Sequence, residues 1–170
     1  MASKLRFHPL EIPFPIVLVD PEIPPNTGNV ARLCVAVGSP LHLVGKLGFD
    51  LSEKAVRRAG LDYWPLVRLS THENLDVCLA SIASPHAPLL FTSNCGRSYL
   101  DAPYAPGTPL VFGREATGLD TDLLEAFPDR AYAIPTCGPL RSLNLANAVS
   151  IVVYEALRKT GRLENVFEEV

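Results

Sequence analysis

Ile16-Val17-Leu18-Val19-Asp20-Pro21-Glu22-Ile23-Pro24-Pro25-Asn26-Thr27-Gly28-Asn29 is the stretch whose reading decides the fold class. Its first four residues are apolar and mostly β-branched, as expected of a strand buried on both faces. Asn26 or Thr27 is placed to cap the helix that follows, and Gly38 to stop it. Within that helix Val30, Leu33, Cys34 and Val37 form one apolar stripe. Outward from here the pattern repeats. Leu41–Val44, Leu66–Leu69, Leu89–Thr92, Leu110–Phe112 and Ala131–Ile134 read as further strands. Ser52–Arg58 (closed near Gly60), Leu75–Ser81, Asp120–Ala126 and Asn144–Lys159 read as helices. Six strands alternating with helices predict an α/β domain with a parallel six-stranded sheet and helices on both faces.

The composition agrees with one folded domain. A chain of 170 residues, 48% hydrophobic with a net charge of -3, can bury enough surface to exclude disorder. Sixteen prolines are nearly twice the usual share of roughly 5%, and their clusters at Pro9–Pro25, Pro85–Pro88, Pro103–Pro109 and Pro135–Pro139 read as stiffened connections. Cys34, Cys78, Cys95 and Cys137 lie far apart with no C-x-x-C pair, and His8, His42, His72 and His86 are equally scattered. No metal site is expected from these spacings. A pI near 5.8 argues against a sequence-blind nucleic-acid coat but leaves room for a local basic patch. No apolar run approaches the roughly 18 residues of a membrane span, and Met1 to Pro15 lack a signal-peptide pattern. A cytoplasmic protein is the expectation.

Three loops carry the candidate chemistry. No G-x-G-x-x-G follows the first strand, which removes the dinucleotide fingerprint. Gly113-Arg114-Glu115-Ala116-Thr117-Gly118 has the glycine spacing of a phosphate loop, but Leu119 stands in place of its lysine. The segment does follow a strand end, where open α/β sheets bind ligands. Pro21–Asn29 and Ile134–Leu145 also follow strand ends, so all three are expected to converge on one edge of the sheet. Asn29 and Arg32, three residues apart, are neighbours on a helix surface away from its apolar stripe. On the last helix Leu145, Val149, Val152 and Ala156 make one stripe, and Ala148, Ile151 and Tyr154 a second. Two apolar faces imply a sandwiched helix, read here as the contact of a symmetric dimer or as enclosure by its own domain.

Asn26-x-x-Asn29-x-x-Arg32, Gly113-x-Glu115-x-x-Gly118-Leu119 and Ile134-Pro135…Ser142-Leu143-Asn144…Ala148 resemble the three motifs of the SPOUT superfamily of S-adenosylmethionine-dependent RNA methyltransferases. Pro21–Asn29, Arg57–Tyr63 and Asn147–Glu155 are similar in particular to the small tRNA ribose 2'-O-methyltransferases acting on the wobble cytidine or uridine of leucine tRNAs. The resemblance spans about Ile16 to Gly161, leaving 1–15 as an N-terminal extension, expected to pack loosely, and 162–170 as a tail. It implies a SPOUT-like fold with a C-terminal trefoil knot, a homodimer, S-adenosylmethionine as cofactor and tRNA as substrate. It places the cofactor against Phe91 or Thr92, Gly113, Ile134, Ser142 and Leu143. Ala146 departs from the serine common in the N-L-S-N run.

The same resemblance casts Arg32, helped by Asn29, as the group activating the ribose hydroxyl. As a literal base an arginine with a pKa of roughly 13 sits about 6 units from neutral pH, some 8 kcal/mol. Stabilising developing alkoxide charge, or anchoring the adjacent phosphate, suits it better. Glu115 is read as bonding a backbone amide, bonding the partner's arginine or shaping its own loop; Ser142 and Asn144 as touching cofactor or capping the last helix. Lys54, Arg57, Arg58, Arg97, Arg114 and Arg141 are candidates for a tRNA track. The competing expectations are a non-catalytic knotted RNA-binding or assembly module and a flavodoxin-like nucleotide or flavin binder.

Overall fold

A computed structural model describes residues 3–48 and 62–169; the expected helix Ser52–Arg58 and the cations Lys54, Arg57 and Arg58 lie outside the described residues. The sheet is built from β2 (Ile16–Val19), β3 (Leu41–Val44), β4 (Leu69–His72), β5 (Leu89–Phe91), β6 (Leu110–Phe112) and β7 (Ala131–Tyr132). All pairings are parallel, in the order β4-β3-β2-β6-β5-β7. The helices are α1 (Pro24–Val37), α2 (Leu75–Ile82), α3 (Thr121–Ala126) and α4 (Leu145–Lys159). The expected α/β architecture is therefore present, with helices on both faces.

Strand residues alternate between two cores, as the two-residue side-chain period requires. Ile16, Leu18, Leu41, Leu43, Leu89, Phe91, Leu110 and Phe112 pack with α1 (Val30, Ala31, Cys34, Val37) and α4 (Val149, Val152, Val153, Ala156). Val17, Val44, Leu90 and Val111 pack on the other side with Cys78 of α2 and with Leu123, Leu124 and Phe127. His42 lies on this second side, opposite in pleat to Leu41 and Leu43. Its Nδ1 is 2.9 Å from Nε2 of His72. Burial, with His72 beside it, pushes the His42 pKa down to about 4, so the imidazole is neutral at pH 7.

Three elements differ from the sequence reading, each for a physical reason. The fourth strand begins at Leu69 rather than Leu66, because Trp64–Leu66 is a 3-10 turn around Pro65, whose ring fixes φ and offers no N–H to a ladder. Helix α1 begins at Pro24, with Ile23 at its N-cap, so Asn26 sits inside the first turn and does not cap it. Proline loses nothing at a first helical turn, where its missing N–H has no intrahelical partner. Gly38 does end the helix, at φ 71° in the left-handed region. The N-terminal extension is not loose: β1 (Lys4–Phe7) pairs antiparallel with β8 (Val166–Glu169), Arg6 Nε meets Glu169 Oε2 at 2.8 Å, and Leu10 and Phe14 are buried in the first core. That pairing joins the two ends of the chain, a non-local contact that no local pattern announces.

Candidate active site

Strands β2 and β6 are adjacent and parallel, with Leu18 opposite Phe112, so the loops that follow leave the sheet at the same end. Chain order reverses here, β3 lying to one side of β2 and β6 to the other. Such a switch point opens a crevice beyond the strand ends. Glu115 closes it with polar bonds. The backbone N–H groups of Glu22 and Ile23 donate to its two carboxylate oxygens at 2.8 and 3.1 Å, and Asn26 Nδ2 donates at 2.9 Å. Asn26 Oδ1 in turn accepts from Asn144 Nδ2 at 2.9 Å. Asn144 Oδ1 accepts from the backbone N–H of Ala146 (2.9 Å) and Asn147 (3.3 Å), capping α4. One chain of hydrogen bonds therefore ties the β6–α3 loop to the β2–α1 loop and to the start of α4.

The electrostatics follow from this bonding. Burial alone would raise the Glu115 pKa, but the Asn26 amide and the backbone N–H groups outweigh it and hold the carboxyl below its ordinary range. Glu115 is thus an ionised acceptor bonded to a loop other than its own. A second tie runs beside it: Arg114 Nη2 donates to Asp20 Oδ2 at 2.9 Å and lies 3.4 Å from Asp120 Oδ2. Asp20 Oδ1 accepts from the Lys46 backbone N–H at 2.7 Å. Within the β6 loop, Arg114 and Gly118 exchange two backbone hydrogen bonds (3.1 and 2.9 Å), making a tight hairpin. A Cβ on Gly113 would lie 2.2 Å from the Gly118 carbonyl carbon, so no other residue fits there without moving the loop.

Gly113 and Thr92 lie together, the Thr92 hydroxyl being the nearest atom to a Cβ built on Gly118. Thr92 Oγ1 accepts from the Asn94 backbone N–H at 3.2 Å. The Phe91 ring is buried, 5.0 Å from Phe112 and 6.4 Å from Tyr132, at the end of β5 just before Thr92. Ile134 is half-buried just past β7, and Ser142 and Leu143 are exposed on the approach to Asn144. Leu140, 75% exposed, lies on the same segment.

Asn29 and Arg32 stand on the exposed side of α1 and do not bond to the loop cluster. From Asn26, each step of three residues turns back by about 60° and rises roughly 4.5 Å, which puts Arg32 some 9 Å along the helix and 120° around it. Its guanidinium sits over the Tyr63 ring, 5.4 Å from the centroid, and Tyr63 Oη donates to the Gly28 carbonyl at 2.8 Å. Tyr63 therefore positions Arg32, a role its sequence context did not reveal. Among the track candidates, Arg97 is paired with Asp129 at 2.6 Å and Arg114 with Asp20, while Arg141 is exposed. Ile151 and Tyr154 of α4 are exposed, so in the single chain the second apolar stripe is uncovered.

Known proteins are similar to this chain in sequence and fold. A tRNA (cytidine(34)-2'-O)-methyltransferase from Burkholderia ambifaria is 44% identical over 150 residues, 87% of this chain and 96% of that protein. One from Aeromonas hydrophila is 41% identical over 147 residues, covering 86% and 94%. A solved structure described as giving insight into the 2-OH methylation of C/U34 on tRNA superposes with a TM-score of 0.78 at 44% identity, covering 88% of this chain and 97% of that one. An AdoMet-bound rRNA methyltransferase from Sinorhizobium meliloti gives 0.72 at 26%, covering 89% and 58%. The model of the SpoU rRNA Methylase family matches residues 13–154. That span takes in every loop tied together at the switch point, and by it the chain belongs to the SpoU rRNA Methylase family.

Proposed function

We propose that this chain is an S-adenosylmethionine-dependent tRNA methyltransferase that methylates the ribose 2'-oxygen of the wobble cytidine or uridine of leucine tRNAs, in the cytoplasm and as a homodimer. The observation that carries the reading is the hydrogen-bonded run Glu115–Asn26–Asn144, which draws three loops to one crevice with Arg32 on the adjoining helix. Relatives known as tRNA (cytidine(34)-2'-O)-methyltransferases support the same reaction class.

The residues present suit the cofactor. Gly113 lacks a side chain where the Gly118–Leu119 backbone fills the space a Cβ would take, which keeps the β6 hairpin closed tightly at the crevice. Exposed Leu140 and Leu143, on the approach to α4, offer apolar surface, and the backbone around Ile134 and Ser142 offers donors and acceptors. When bound, S-adenosylmethionine supplies an electrophilic methyl group on a sulfonium. The protein's share is alignment and charge. Glu115 cannot serve as the base, because its carboxylate is already accepting three hydrogen bonds. Asp20 is likewise committed to Arg114 and to the Lys46 backbone. Arg32 remains exposed, and in this reading it stabilises the developing alkoxide or holds the neighbouring phosphate, with Asn29 orienting it. Arg32→Lys keeps the charge and retains measurable transfer; complete loss would count against a charge role.

Two structural parts of the proposal have their own support. After β7, at one edge of the sheet, the chain returns across β5 and β6 to bond Asn144 to Asn26 beside β2, a path compatible with the trefoil knot. An experimental chain trace through residues 113–145 decides it. The exposed Ile151 and Tyr154 stripe supports the dimer, whose mass light scattering reads directly; a monomer at working concentration would contradict it. The reaction itself is tested by incubating the protein with labelled cofactor and unmodified tRNAs and mapping the label. Label on the 2'-oxygen of nucleotide 34 is expected; label elsewhere, or none, overturns the assignment.

A further inference from the structure

On the side of the sheet away from α1 and α4, two histidines and a cysteine meet that no step of methyl transfer uses. His42 of β3 shares its pleat with Val44, and Val44 is the register partner of His72 at the end of β4. The two imidazoles are therefore diagonal neighbours on one face of a parallel pair. Helix α2 covers that face and presents Cys78, which is fully buried. The donor atoms of His42, His72 and Cys78 all lie within 4.8 Å of one another. In sequence these residues are scattered, which is why their spacing gave no metal signal; the sheet register and α2 bring them together.

We propose that His42, His72 and Cys78 form a binding site for one zinc-like divalent ion, bridging β3, β4 and α2. Two imidazole nitrogens and a thiolate are the ligand set of a borderline-soft ion, and the trio contains no oxygen donor of the kind magnesium or calcium requires. Bonds of about 2.0 Å to nitrogen and 2.3 Å to sulfur place the two nitrogens and one sulfur of a tetrahedral site roughly 3.3–3.5 Å apart. The histidine nitrogens, at 2.9 Å, need only open slightly, and the three-atom cluster is already within reach. A hydrogen-bonded histidine pair by itself would not need a thiol as third neighbour. Among the described residues the Cys78 sulfur has no hydrogen-bond partner. Strand β4 is the sheet edge and His72 is half-buried, which gives an ion a way in and leaves the fourth position to water.

The proton balance is simple. The proton shared between the rings moves to a non-coordinating ring nitrogen, and the Cys78 thiol gives its proton to solvent, so one proton is released per ion bound. The test uses the chelator-stripped full chain carrying Cys95→Ser and Cys137→Ser, titrated with Co2+ as a spectroscopic probe. One equivalent should produce a thiolate-to-cobalt charge-transfer band and tetrahedral visible bands, and Zn2+ should displace it and raise the thermal midpoint. Cys78→Ser should abolish the band, and His72→Gln should weaken binding by more than about tenfold. His72 is partly exposed, so His72→Gln keeps the test decisive even where Cys78→Ser does not fold. No band at stoichiometric Co2+, a band that survives Cys78→Ser, affinity unchanged in His72→Gln, or binding of Cu+ alone would each overturn the site.

Discussion

The loop cluster and the exposed face of α1 are the two halves of the candidate active site, and they are built in opposite ways. Around Glu115 the polar groups are paired with one another across three loops before any ligand arrives. On α1, Asn29 and Arg32 are exposed, and among the described residues Arg32 is held by the face of Tyr63. Such an exposed cation–π contact is worth about 0.5–1 kcal/mol, whereas an ionised, half-buried carboxylate accepting three hydrogen bonds from neutral donors resists rearrangement more strongly. The difference suits a preformed small-molecule cradle beside a face that a large, charged substrate completes. A nucleic acid brings its own phosphates and its own desolvation, so its contacts need not be pre-paired.

The comparison breaks most sharply at Arg32. Arg32→Ala should lower turnover by roughly 10^2–10^3, the range seen when one donor to a developing oxyanion is removed. A methyl-transfer assay reads this; turnover within a few-fold of wild type would dissolve the distinction between the halves. On the cradle side Gly113→Ala, which drives a Cβ into the Gly118 carbonyl, should weaken cofactor binding by about 100-fold or more, near 2.7 kcal/mol. Wild-type affinity there would mean the hairpin does not face the cofactor.

Glu115→Gln keeps the shape but removes the charge that the Glu22 and Ile23 N–H groups bond. It should cost about 1–3 kcal/mol of stability, measured by denaturant unfolding. Because the folded-state pKa of Glu115 is depressed, its contribution is present above the unfolded value near 4.5 and disappears as pH falls through the lowered folded value. The difference between wild type and Glu115→Gln should therefore shrink with acidification below that point and stay constant above it. Smallest is Tyr63→Phe, which leaves the ring under Arg32 but removes the bond to Gly28. A turnover loss of about three- to fivefold is expected, close to 1 kcal/mol. Steady-state kinetics checks it, and a loss as deep as that of Arg32→Ala would give Tyr63 a larger part than positioning.

Much of this was legible in the residues themselves. Five of the six strands follow from short β-branched or apolar runs because a parallel sheet covered on both faces needs continuous hydrophobicity. The sixth, Leu-Ser-Thr-His at 69–72, is an edge strand and half polar, so Leu66 beside it was the more apolar but wrong start. Glu115, Asn144, Gly113 and Arg32 were singled out by the resemblance of three separated motifs taken together; strand-end position alone marked the loops as candidates but assigned no residue a role. Asn26 changed role, from helix cap to the middle of the Glu115–Asn144 link, because the two prolines before it start the helix earlier. The Tyr63 support, the β1–β8 pairing and the His42–His72–Cys78 cluster all depend on register and on contacts far apart in sequence, which local patterns do not carry.

The central claim is that the tied loops hold S-adenosylmethionine independently of the cation that acts on the ribose. Calorimetric titration of the cofactor into wild type, Arg32→Ala and Glu115→Gln addresses it directly. Affinity for Arg32→Ala within about twofold of wild type, together with a loss of about tenfold or more for Glu115→Gln, is the result expected from these contacts. Equal loss in both variants, or full affinity in Glu115→Gln, would contradict it.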